Sequence, residues 1–340
     1  MTYATSRGSV VVAAGGLRGT ADDVTCAAAA ESDSMCGSVP RCSFLDSTVR
    51  TGRELGAVHE SLANELRRHT GADSFVFSTC QRVEVYSLRT VRDQWGRSVL
   101  PRDVGLALGS AAARRRLTEI GAGVRSQILG EQFVLWQLLS ASTHLGFEHP
   151  FHSVVTDAVR LARRLREDNR FAAVEDYPAL ALGLLGSEHR APAHTLLVVG
   201  GGVMARAVAE HARVSGYQRL VIVTRSPKNV RRRASRNLAD AMVCRPGLAK
   251  ERVGDGEWDA VIATSGITGD YREQVADLVG SRRCRGTVDL SCIPLHEHTG
   301  DRYEHMYGPR FAARIAAQNE RLVEAAARIR EQIAVLAGED

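Results

Sequence analysis

The sequence predicts an α/β protein in which an α+β domain comes first, a doubly wound parallel sheet follows, and a long helix ends the chain. A valine-rich run at 196–199 leads through three glycines into a helical pattern, which is typical of the first strand, turn and helix of such a sheet. Two short β-rich runs, 74–80 and 83–88, are separated by two residues. Apolar residues recur at helical spacing over 306–340. With 340 residues, 44% of them hydrophobic, the chain is long enough for two or three domains.

The front half combines strand and helix patterns. Leu55, Val58 and Leu62, for example, follow the three- and four-residue spacing of an amphipathic helix. The predicted elements, in chain order, are a strand at 9–14, a loop that includes 25–45, a helix at 51–70, strands at 74–80 and 83–88, and helices within 103–144 and 151–186.

The main domain boundary is predicted at 187–194, because this charged segment contains a proline and stands directly before the valine-rich strand. The predicted domains are 1–150, a front domain that binds substrate; 151–190, a connecting helical segment; 191–305, the parallel-sheet domain; and 306–340, the long C-terminal helix.

Composition excludes some classes of protein and leaves others open. No apolar run approaches the roughly 18 residues of a membrane span, and the start of the chain lacks a signal-peptide layout, so we predict a cytoplasmic protein with no membrane partner. The seven cysteines are scattered, without a C-x-x-C pair, which favours reduced thiols. His296 and His298 form an isolated H-x-H in a loop, so we predict no metal. The net charge of +5 rests on arginine, with lysine only at 228 and 250, and is not evidence for nucleic-acid binding by itself.

The glycine turn predicts a Rossmann-type dinucleotide site. Gly200, Gly202 and Ala205 match G-x-G-x-x-A between a strand and a helix. The first glycine permits a tight turn, the second lets a pyrophosphate approach the backbone, and the helix start offers free N–H groups. The residues predicted to contact the cofactor here are Gly200, Gly201, Gly202, Val203, Met204 and Ala205. The alternative is a glycine turn that only joins strand to helix.

The following strands indicate which dinucleotide would bind. The strand at 219–223 ends in Thr224, Arg225 and Ser226 rather than in an acidic residue that would repel a 2′-phosphate, so NADPH is favoured over NADH. The apolar strand that begins near 258 ends in small residues, as expected at the carboxyl edge of a parallel sheet. Thr264, Ser265 and Gly266 therefore complete the predicted cofactor site.

Cys80 is the candidate nucleophile of the front domain. It lies between Thr79 and Gln81, and Arg82 follows two residues later. A nearby guanidinium is expected to lower the pKa of the thiol and to favour the reactive thiolate. A buried structural cysteine is the alternative interpretation of this residue.

Two motifs resemble those of the glutamyl-tRNA reductases. The segment FSTCQRVEVY at 77–86 resembles S-T-C-N-R-x-E-x-Y, and GAGVRSQILGE at 121–131 resembles A-G-L-D-S-M-V-L-G-E. The resemblance covers most of residues 72–335. It implies that Cys80 attacks an aminoacyl-tRNA ester, most simply glutamyl-tRNA, and that the resulting thioester is reduced by NADPH to an amino aldehyde. An aminomutase or aminotransferase would then receive the aldehyde for 5-aminolevulinate and tetrapyrrole (porphyrin) synthesis or for a specialised metabolite. The substrate-binding residues implied are Thr79, Arg82, Ser126, Glu131 and Arg116.

The sequence departs from these motifs at several positions. Arg116 stands where the family has a histidine, and an arginine cannot act as a base at neutral pH. Arg125 replaces the motif aspartate, Gln81 replaces the asparagine, and GGLRGTA at 15–21 replaces G-x-N-H-K-T-A. The chain ends at Asp340, without the helical dimerisation domain usual in the family, which leaves dimerisation open.

Three functions stay open on the sequence. The first is an NADPH-dependent aminoacyl-tRNA reductase. The second is a catalytically impaired relative that binds tRNA, nucleotide or a partner reductase, which Arg116 and Arg125 favour. The third is an NADP-dependent oxidoreductase that reduces an acyl thioester or aldehyde without tRNA.

Overall fold

The computed structural model describes residues 41–46, 74–79, 81–88, 105–186, 195–233, 238–264, 267–296 and 301–338. The predicted strand at 9–14, the segment 15–21, residues 25–40 of the predicted loop and the helix at 51–70 lie outside these residues. So do the predicted boundary at 187–194 and three predicted site residues, Cys80, Ser265 and Gly266. The loop prediction of 25–45 was wrong for residues 41–45, which belong to a strand, 41–46, that pairs with residues 82–87. The predicted domain limits stay predictions; Val39–Asp340 form one compact unit.

The front sheet has four antiparallel strands. They are β1 (Arg41–Asp46), β2 (Ser74–Thr79), β3 (Arg82–Ser87) and β4 (Gly105–Leu108), in the order β2-β3-β1-β4. Thr79 pairs with Arg82, so only residues 80 and 81 separate the two paired strands, which confirms the predicted strand pair and its tight connection. On the β2–β3 pair, Phe75 stacks on Tyr86 with ring centroids 4.7 Å apart and packs into the front core.

Three helices pack in the front core: α1 (Ser110–Ala122), α2 (Phe133–His144) and α3 (His152–Asp168). The next helix, α4 (Tyr177–Gly186), packs in a core of the rear sheet. The prediction of helix throughout 103–144 was wrong at its start, because residues 105–108 pair with β1 as strand β4. Gly123 ends α1 with a left-handed φ of 80°, and its N–H bonds to the Ile120 carbonyl. The segment 123–131 is therefore a loop between α1 and α2.

The rear sheet has six parallel strands. They are β5 (Thr195–Val199), β6 (Arg219–Val223), β7 (Met242–Cys244), β8 (Trp258–Ile262), β9 (Cys284–Asp289) and β10 (Tyr303–His305), in the order β10-β9-β8-β5-β6-β7. Counted from β5 this is 3-2-1-4-5-6, the order of a Rossmann-type doubly wound sheet, which confirms the predicted fold class. The helices between the strands are α5 (Val203–Val214), α6 (Pro227–Arg233), α7 (Ala249–Val253) and α8 (Gly269–Val279).

The C-terminal segment forms two helices, α9 (Pro309–Glu320) and α10 (Val323–Gly338), where the sequence predicted one. The Leu322 N–H bonds to the Asn319 carbonyl in a tight turn between them. The break between α9 and α10 lies where the buried apolar residues of this segment pass from one hydrophobic core to another. Phe311 of α9 is buried in a core of the rear sheet, whereas Ile329 of α10 is buried in the front core. No helix of the described ranges is long and apolar enough to span a bilayer.

Candidate functional site

The glycine turn after β5 has the geometry that a dinucleotide site requires. Gly200 has a φ of +135°, and a Cβ there would lie 2.5 Å from the Ala263 carbonyl oxygen, so only glycine fits. A Cβ on Gly202 would meet no atom within 4 Å, which leaves the start of α5 open to a ligand. Ala205 is buried against the turn. The remaining predicted residues of this segment are Gly201, packed against Thr224 and Val230; Val203, exposed at the first position of α5; and Met204, partly buried against the core.

The residues after β6 form a polar corner beside the glycine turn. Thr224 is buried, and its hydroxyl accepts a hydrogen bond from the Ser226 N–H at 3.3 Å. The Arg225 guanidinium is exposed and lies 5.6 Å from the centre of the Tyr271 ring. Burial raises the pKa of Tyr271 to about 12, and its hydroxyl donates to the Val223 carbonyl. An arginine supported on an aromatic ring is a suitable partner for a phosphate.

Thr264 is the third part of the predicted cofactor site that the structure describes. It is half-buried and follows β8 at the carboxyl edge of the sheet, as Thr224 follows β6. Because β5, β6 and β8 are neighbours, their carboxyl ends bring the three segments to one edge. The described residues that the sequence predicts to contact the cofactor therefore lie at one edge of the sheet.

Arg82 is the described front-domain residue best suited to bind an anion. Its side chain is 2% exposed, and Nη2 donates to the Arg125 carbonyl at 2.7 Å. Nη1 lies 3.9 Å from Oε1 of Glu84, too far for a hydrogen bond. Nε and Nη1 are buried with no hydrogen-bond partner among the described residues. A buried guanidinium with two unused donor nitrogens is expected to have a ligand, and its positive charge favours an anion such as a carboxylate.

Arg116, predicted to contact substrate, is paired within the front core. Its Nε and Nη2 donate to the two carboxylate oxygens of Glu84 at 3.1 and 2.8 Å, and Glu84 is fully buried. The Tyr86 hydroxyl donates to the same carboxylate at 2.6 Å. Arg116 therefore neutralises Glu84, which leaves the positive charge of Arg82 without an equivalent bidentate partner in the described part of the chain.

Ser126 and Glu131, also predicted to bind substrate, contact each other. The Ser126 hydroxyl donates to Oε1 of Glu131 at 3.2 Å, and the Glu131 carboxylate accepts the N–H groups of Phe133 and Val134 at the start of α2. Burial raises the pKa of the Glu131 carboxyl, while the hydrogen bonds oppose that shift. Thr79 is buried, and its hydroxyl accepts the Gln81 N–H at 3.2 Å.

The motif loop 123–131 is fixed by side chains from outside it. Arg166 donates to the carbonyls of Gly130 and Glu131, and burial lowers the pKa of this guanidinium. Asn319 donates to the Gln127 carbonyl and accepts the Leu129 N–H. The loop therefore has a defined backbone position between the front core and α9.

Two residues that the sequence analysis did not single out, Gln127 and Tyr177, join the front hairpin to the rear sheet. The Gln81 amide Nε2 lies 2.6 Å from Oε1 of Gln127 and 2.6 Å from the Tyr177 hydroxyl. Nε2 of Gln127 then donates to the Met306 carbonyl at 3.4 Å. Met306 follows β10, and its N–H bonds to the Asp289 carbonyl at the end of β9. The residue next to Cys80 is thus linked to the carboxyl edge of the parallel sheet. The only sequence signal was that Gln127 replaces the motif methionine.

Comparisons with known proteins give the chain's relatives. No family model matches it. Protein nfe2 of Rhizobium meliloti is 28% identical over 252 residues, 72% of this chain and 81% of that protein. The glutamyl-tRNA reductase of Methanopyrus kandleri is 32% identical over 166 residues, 44% of this chain and 39% of the reductase. That of Salinibacter ruber is 28% identical over 203 residues, 52% of this chain and 41% of the reductase. The solved reductase from Methanopyrus kandleri aligns with a TM-score of 0.43 and 20% identity, covering 89% of this chain and 80% of the other.

The sheet order and the glycine turn define the class: an α/β protein with a Rossmann-type sheet behind an antiparallel front sheet. The chain spans about two fifths of the length of the two curated reductases that it matches. The chain is a divergent relative of the glutamyl-tRNA reductases.

Proposed function

We propose that the protein is an NADPH-dependent reductase of an aminoacyl-tRNA, with glutamyl-tRNA as the leading substrate and Cys80 as the nucleophile. The observation that carries the proposal is the link from Gln81, the neighbour of Cys80, through Gln127 to Met306 at the carboxyl edge of the rear sheet. Cofactors of doubly wound sheets lie at that edge. The proposal assigns acyl transfer to Cys80, the neighbour of Gln81, and the reduction to the sheet edge to which Gln81 is linked.

The residues of the rear site fit NADPH. The space that a Cβ would fill at Gly202 and the open start of α5 suit a pyrophosphate. Arg225, exposed over Tyr271, would bind the 2′-phosphate, and Thr224 offers a hydroxyl at the ribose instead of a carboxylate. Thr264, Ser265 and Gly266 would border the nicotinamide. Bound NADPH would supply the hydride that the reduction needs.

Arg82 supports a substrate that carries a carboxylate. Its unused Nε and Nη1 groups can each donate a hydrogen bond, and its positive charge favours an anionic side chain such as that of a glutamyl group. Because Arg116 already neutralises Glu84, this ligand would meet a positive rather than a neutral site. Thr79 pairs with Arg82 across the two strands, and Ser126 follows Arg125, whose carbonyl accepts a hydrogen bond from Arg82. Both residues would contact the same amino acid.

In the acyl transfer, the Cys80 thiol releases its proton to solvent, and the thiolate attacks the carbonyl carbon of the aminoacyl ester. A carbon–sulfur bond forms, the carbon–oxygen bond to the tRNA ribose breaks, and the departing oxygen takes up a proton. A thioester has less resonance stabilisation than an ester and a better leaving group, so its carbonyl accepts hydride more readily. Reduction then breaks the carbon–sulfur bond, which returns the thiolate and releases the aldehyde. An aminomutase or aminotransferase in the same, cytoplasmic, compartment would consume this reactive product.

The test is to incubate the protein with NADPH and a panel of charged tRNAs and to trap any amino aldehyde. We expect product from glutamyl-tRNA, none from Cys80→Ser, and normal product from Cys284→Ser, a matched buried cysteine of β9. Arg82→Lys should reduce acceptance of glutamyl-tRNA, because the single ammonium group of a lysine cannot replace donors at Nε, Nη1 and Nη2 at once. Absence of product from every charged tRNA would defeat the proposal. Reduction of a free acyl thioester without any charged tRNA would favour an oxidoreductase that does not use tRNA.

A catalytically impaired relative is the second candidate, and one observation favours it. The arginine at the family's histidine position is fully engaged by Glu84, so it can neither accept nor donate a proton in the reaction. Such a protein would bind NADPH and charged tRNA in equilibrium assays but form no thioester on Cys80.

A further inference from the structure

Three side chains from distant parts of the sequence form a closed hydrogen-bonded cluster, which we name the glutamine cluster: Gln81, Gln127 and Tyr177. The two protons of the Gln81 amide go to Oε1 of Gln127 and to the Tyr177 hydroxyl, both at 2.6 Å. The Tyr177 hydroxyl in turn donates to Oε1 of Gln127 at 3.3 Å. The Gln127 N–H faces Oε1 of Gln81 at 3.4 Å.

The cluster leaves one orientation for each group. Oε1 of Gln127 accepts twice, so its own Nε2 must point away, and it does so toward the Met306 carbonyl. Flipping either amide would bring two donors face to face. Tyr177 is buried at the start of α4, with its ring near Phe311 of α9, so its hydroxyl is a fixed point of the rear region. The connection that carries residues 80 and 81 is therefore tied to the rear region through two routes.

Both glutamines occupy positions at which this sequence departs from the two motifs, with asparagine at position 81 and methionine at position 127 in the motif strings. The two departures contact each other. An asparagine at 81 is one methylene, about 1.5 Å, shorter and would not reach both partners. A methionine at 127 could neither accept the two hydrogen bonds nor donate to Met306. The full set of hydrogen bonds in the cluster therefore needs both glutamines.

We propose that Gln127 and Tyr177 are positioning residues for Cys80 that act through its neighbour Gln81, which they tie to the carboxyl edge of the rear sheet. The inference rests on the proposed function, because it assigns the cluster to the transfer of an acyl group from sulfur toward the cofactor. Hydride transfer needs the reacting atoms at near contact, and a displacement of about 1 Å can lower its rate by 10²-fold. Acyl transfer from an incoming tRNA to sulfur does not depend on the distance to the rear sheet.

The first measurement needs neither substrate nor cofactor. Cys80 is alkylated with iodoacetamide in the intact protein, and its labelling rate is followed by peptide mass spectrometry. Tyr177→Phe removes the tie to the Tyr177 hydroxyl and Gln127→Glu removes the tie to Met306, so in each variant we expect Cys80 to react about tenfold faster than in the wild type. Tyr217→Phe is the matched control: Tyr217 is equally buried, but its hydroxyl donates to Asp259 at the opposite end of the sheet. Its labelling rate should match the wild type.

The second measurement separates the two chemical steps under single-turnover conditions with glutamyl-tRNA. In Tyr177→Phe we expect the rate of thioester formation on Cys80 to stay within about twofold and the rate of NADPH oxidation to fall about tenfold. Gln81→Asn should show the same split. Gln127→Glu retains an oxygen that can accept the hydrogen bonds from Gln81 and Tyr177 but loses the donor to Met306, so it tests the route to the rear sheet even if Tyr177→Phe folds poorly.

The outcomes are distinguishable. If the wild type forms no aldehyde but the cluster variants label faster, the proposed function fails and the positioning of the connection stands. If labelling and NADPH oxidation are unchanged in both Tyr177→Phe and Gln127→Glu, the inference is overturned whatever the activity of the wild type. An equal loss of both chemical steps, or an equal change in Tyr217→Phe, would indicate a general structural role and would also overturn it.

Discussion

The front and rear regions of the molecule fix their functional residues by opposite means. The front core buries charges: Glu84 is fully buried beside Arg82 and Arg116, and Arg166 is buried against the motif loop. The central strands of the rear sheet consist mainly of Val, Leu, Ile and Ala. Its glycine turn has a residue without a side chain at Gly200, where a Cβ would not fit. The geometry of the front core therefore depends on buried charges from distant residues, whereas the glycine turn of the rear sheet depends on a position where no side chain fits.

The largest expected effect is in the charged front core. Glu84→Gln would leave the guanidinium groups of Arg116 and Arg82 buried without their counter-charge, and we expect the free energy of unfolding to fall by about 3–5 kcal/mol. Asp277→Asn, which breaks the exposed pair with Lys250, should cost less than about 1 kcal/mol. Urea denaturation followed by circular dichroism measures both. Equal losses would mean that the front core does not depend on its buried charges.

The glycine turn of the rear sheet should respond to a single methyl group. Gly200→Ala would place a Cβ 2.5 Å from the Ala263 carbonyl oxygen at a φ of +135°, so we expect a loss of about 1–3 kcal/mol in thermal unfolding. Gly202→Ala adds the same methyl group in open space and should cost less than about 1 kcal/mol. If both substitutions are tolerated alike, the turn does not owe its shape to the missing side chain.

The corner after β6 sets the preference for NADPH under the proposed function. Arg225→Gln removes the cation above Tyr271, and we expect the Kd for NADPH to rise about tenfold, which corresponds to about 1.4 kcal/mol, with no change for NADH. Arg213→Gln, at the other end of α5, is the control, because its guanidinium bonds to Gln218 and Asp240. Fluorescence titration of both coenzymes gives the ratio. A parallel loss of affinity for NADPH and NADH would contradict a contact to the 2′-phosphate.

The rear region was largely predictable from the sequence because its signals are local. A valine-rich strand, three glycines and a helix lie within 195–214, and the strand order followed from the class of fold. The preference for NADPH over NADH was predicted from the three residues 224–226 alone, because none of them is acidic.

The front region was less predictable because its contacts join residues far apart in sequence. Arg116 meets Glu84 across 32 positions, and Gln81 meets Tyr177 across 96. Nothing in the local pattern around 105–108 distinguishes strand β4 from a helix start; its pairing with β1 decides that. The break between α9 and α10 likewise depends on which core each half meets. The sequence motifs located these segments, but which residues contact each other depends on tertiary pairing.

The smallest predicted effect concerns the pH dependence of the rear region. His305 is the last residue of β10 and is buried. Its Nε2 lies 2.7 Å from the Ser291 carbonyl, and its Nδ1 accepts the Tyr307 N–H at 3.2 Å. A ring that accepts at Nδ1 and donates at Nε2 is neutral. Burial lowers the pKa of His305 below its ordinary value of 6.5. The unfolded chain then binds a proton at a higher pH than the folded one.

That difference fixes the sign of the effect. The stabilising contribution of neutral His305 is complete above pH 6.5 and is lost as the pH falls from 6.5 through the lowered pKa, with a slope of at most about 1.4 kcal/mol per pH unit. His305→Gln keeps one donor and one acceptor but cannot titrate, so its free energy of unfolding should change less between pH 6.5 and 5 than that of the wild type. Urea denaturation at half-unit steps measures both slopes, and the two proteins should run parallel from pH 7.5 to 8.5. Parallel curves below pH 6.5 as well would show that protonation of His305 does not limit the stability of the rear sheet.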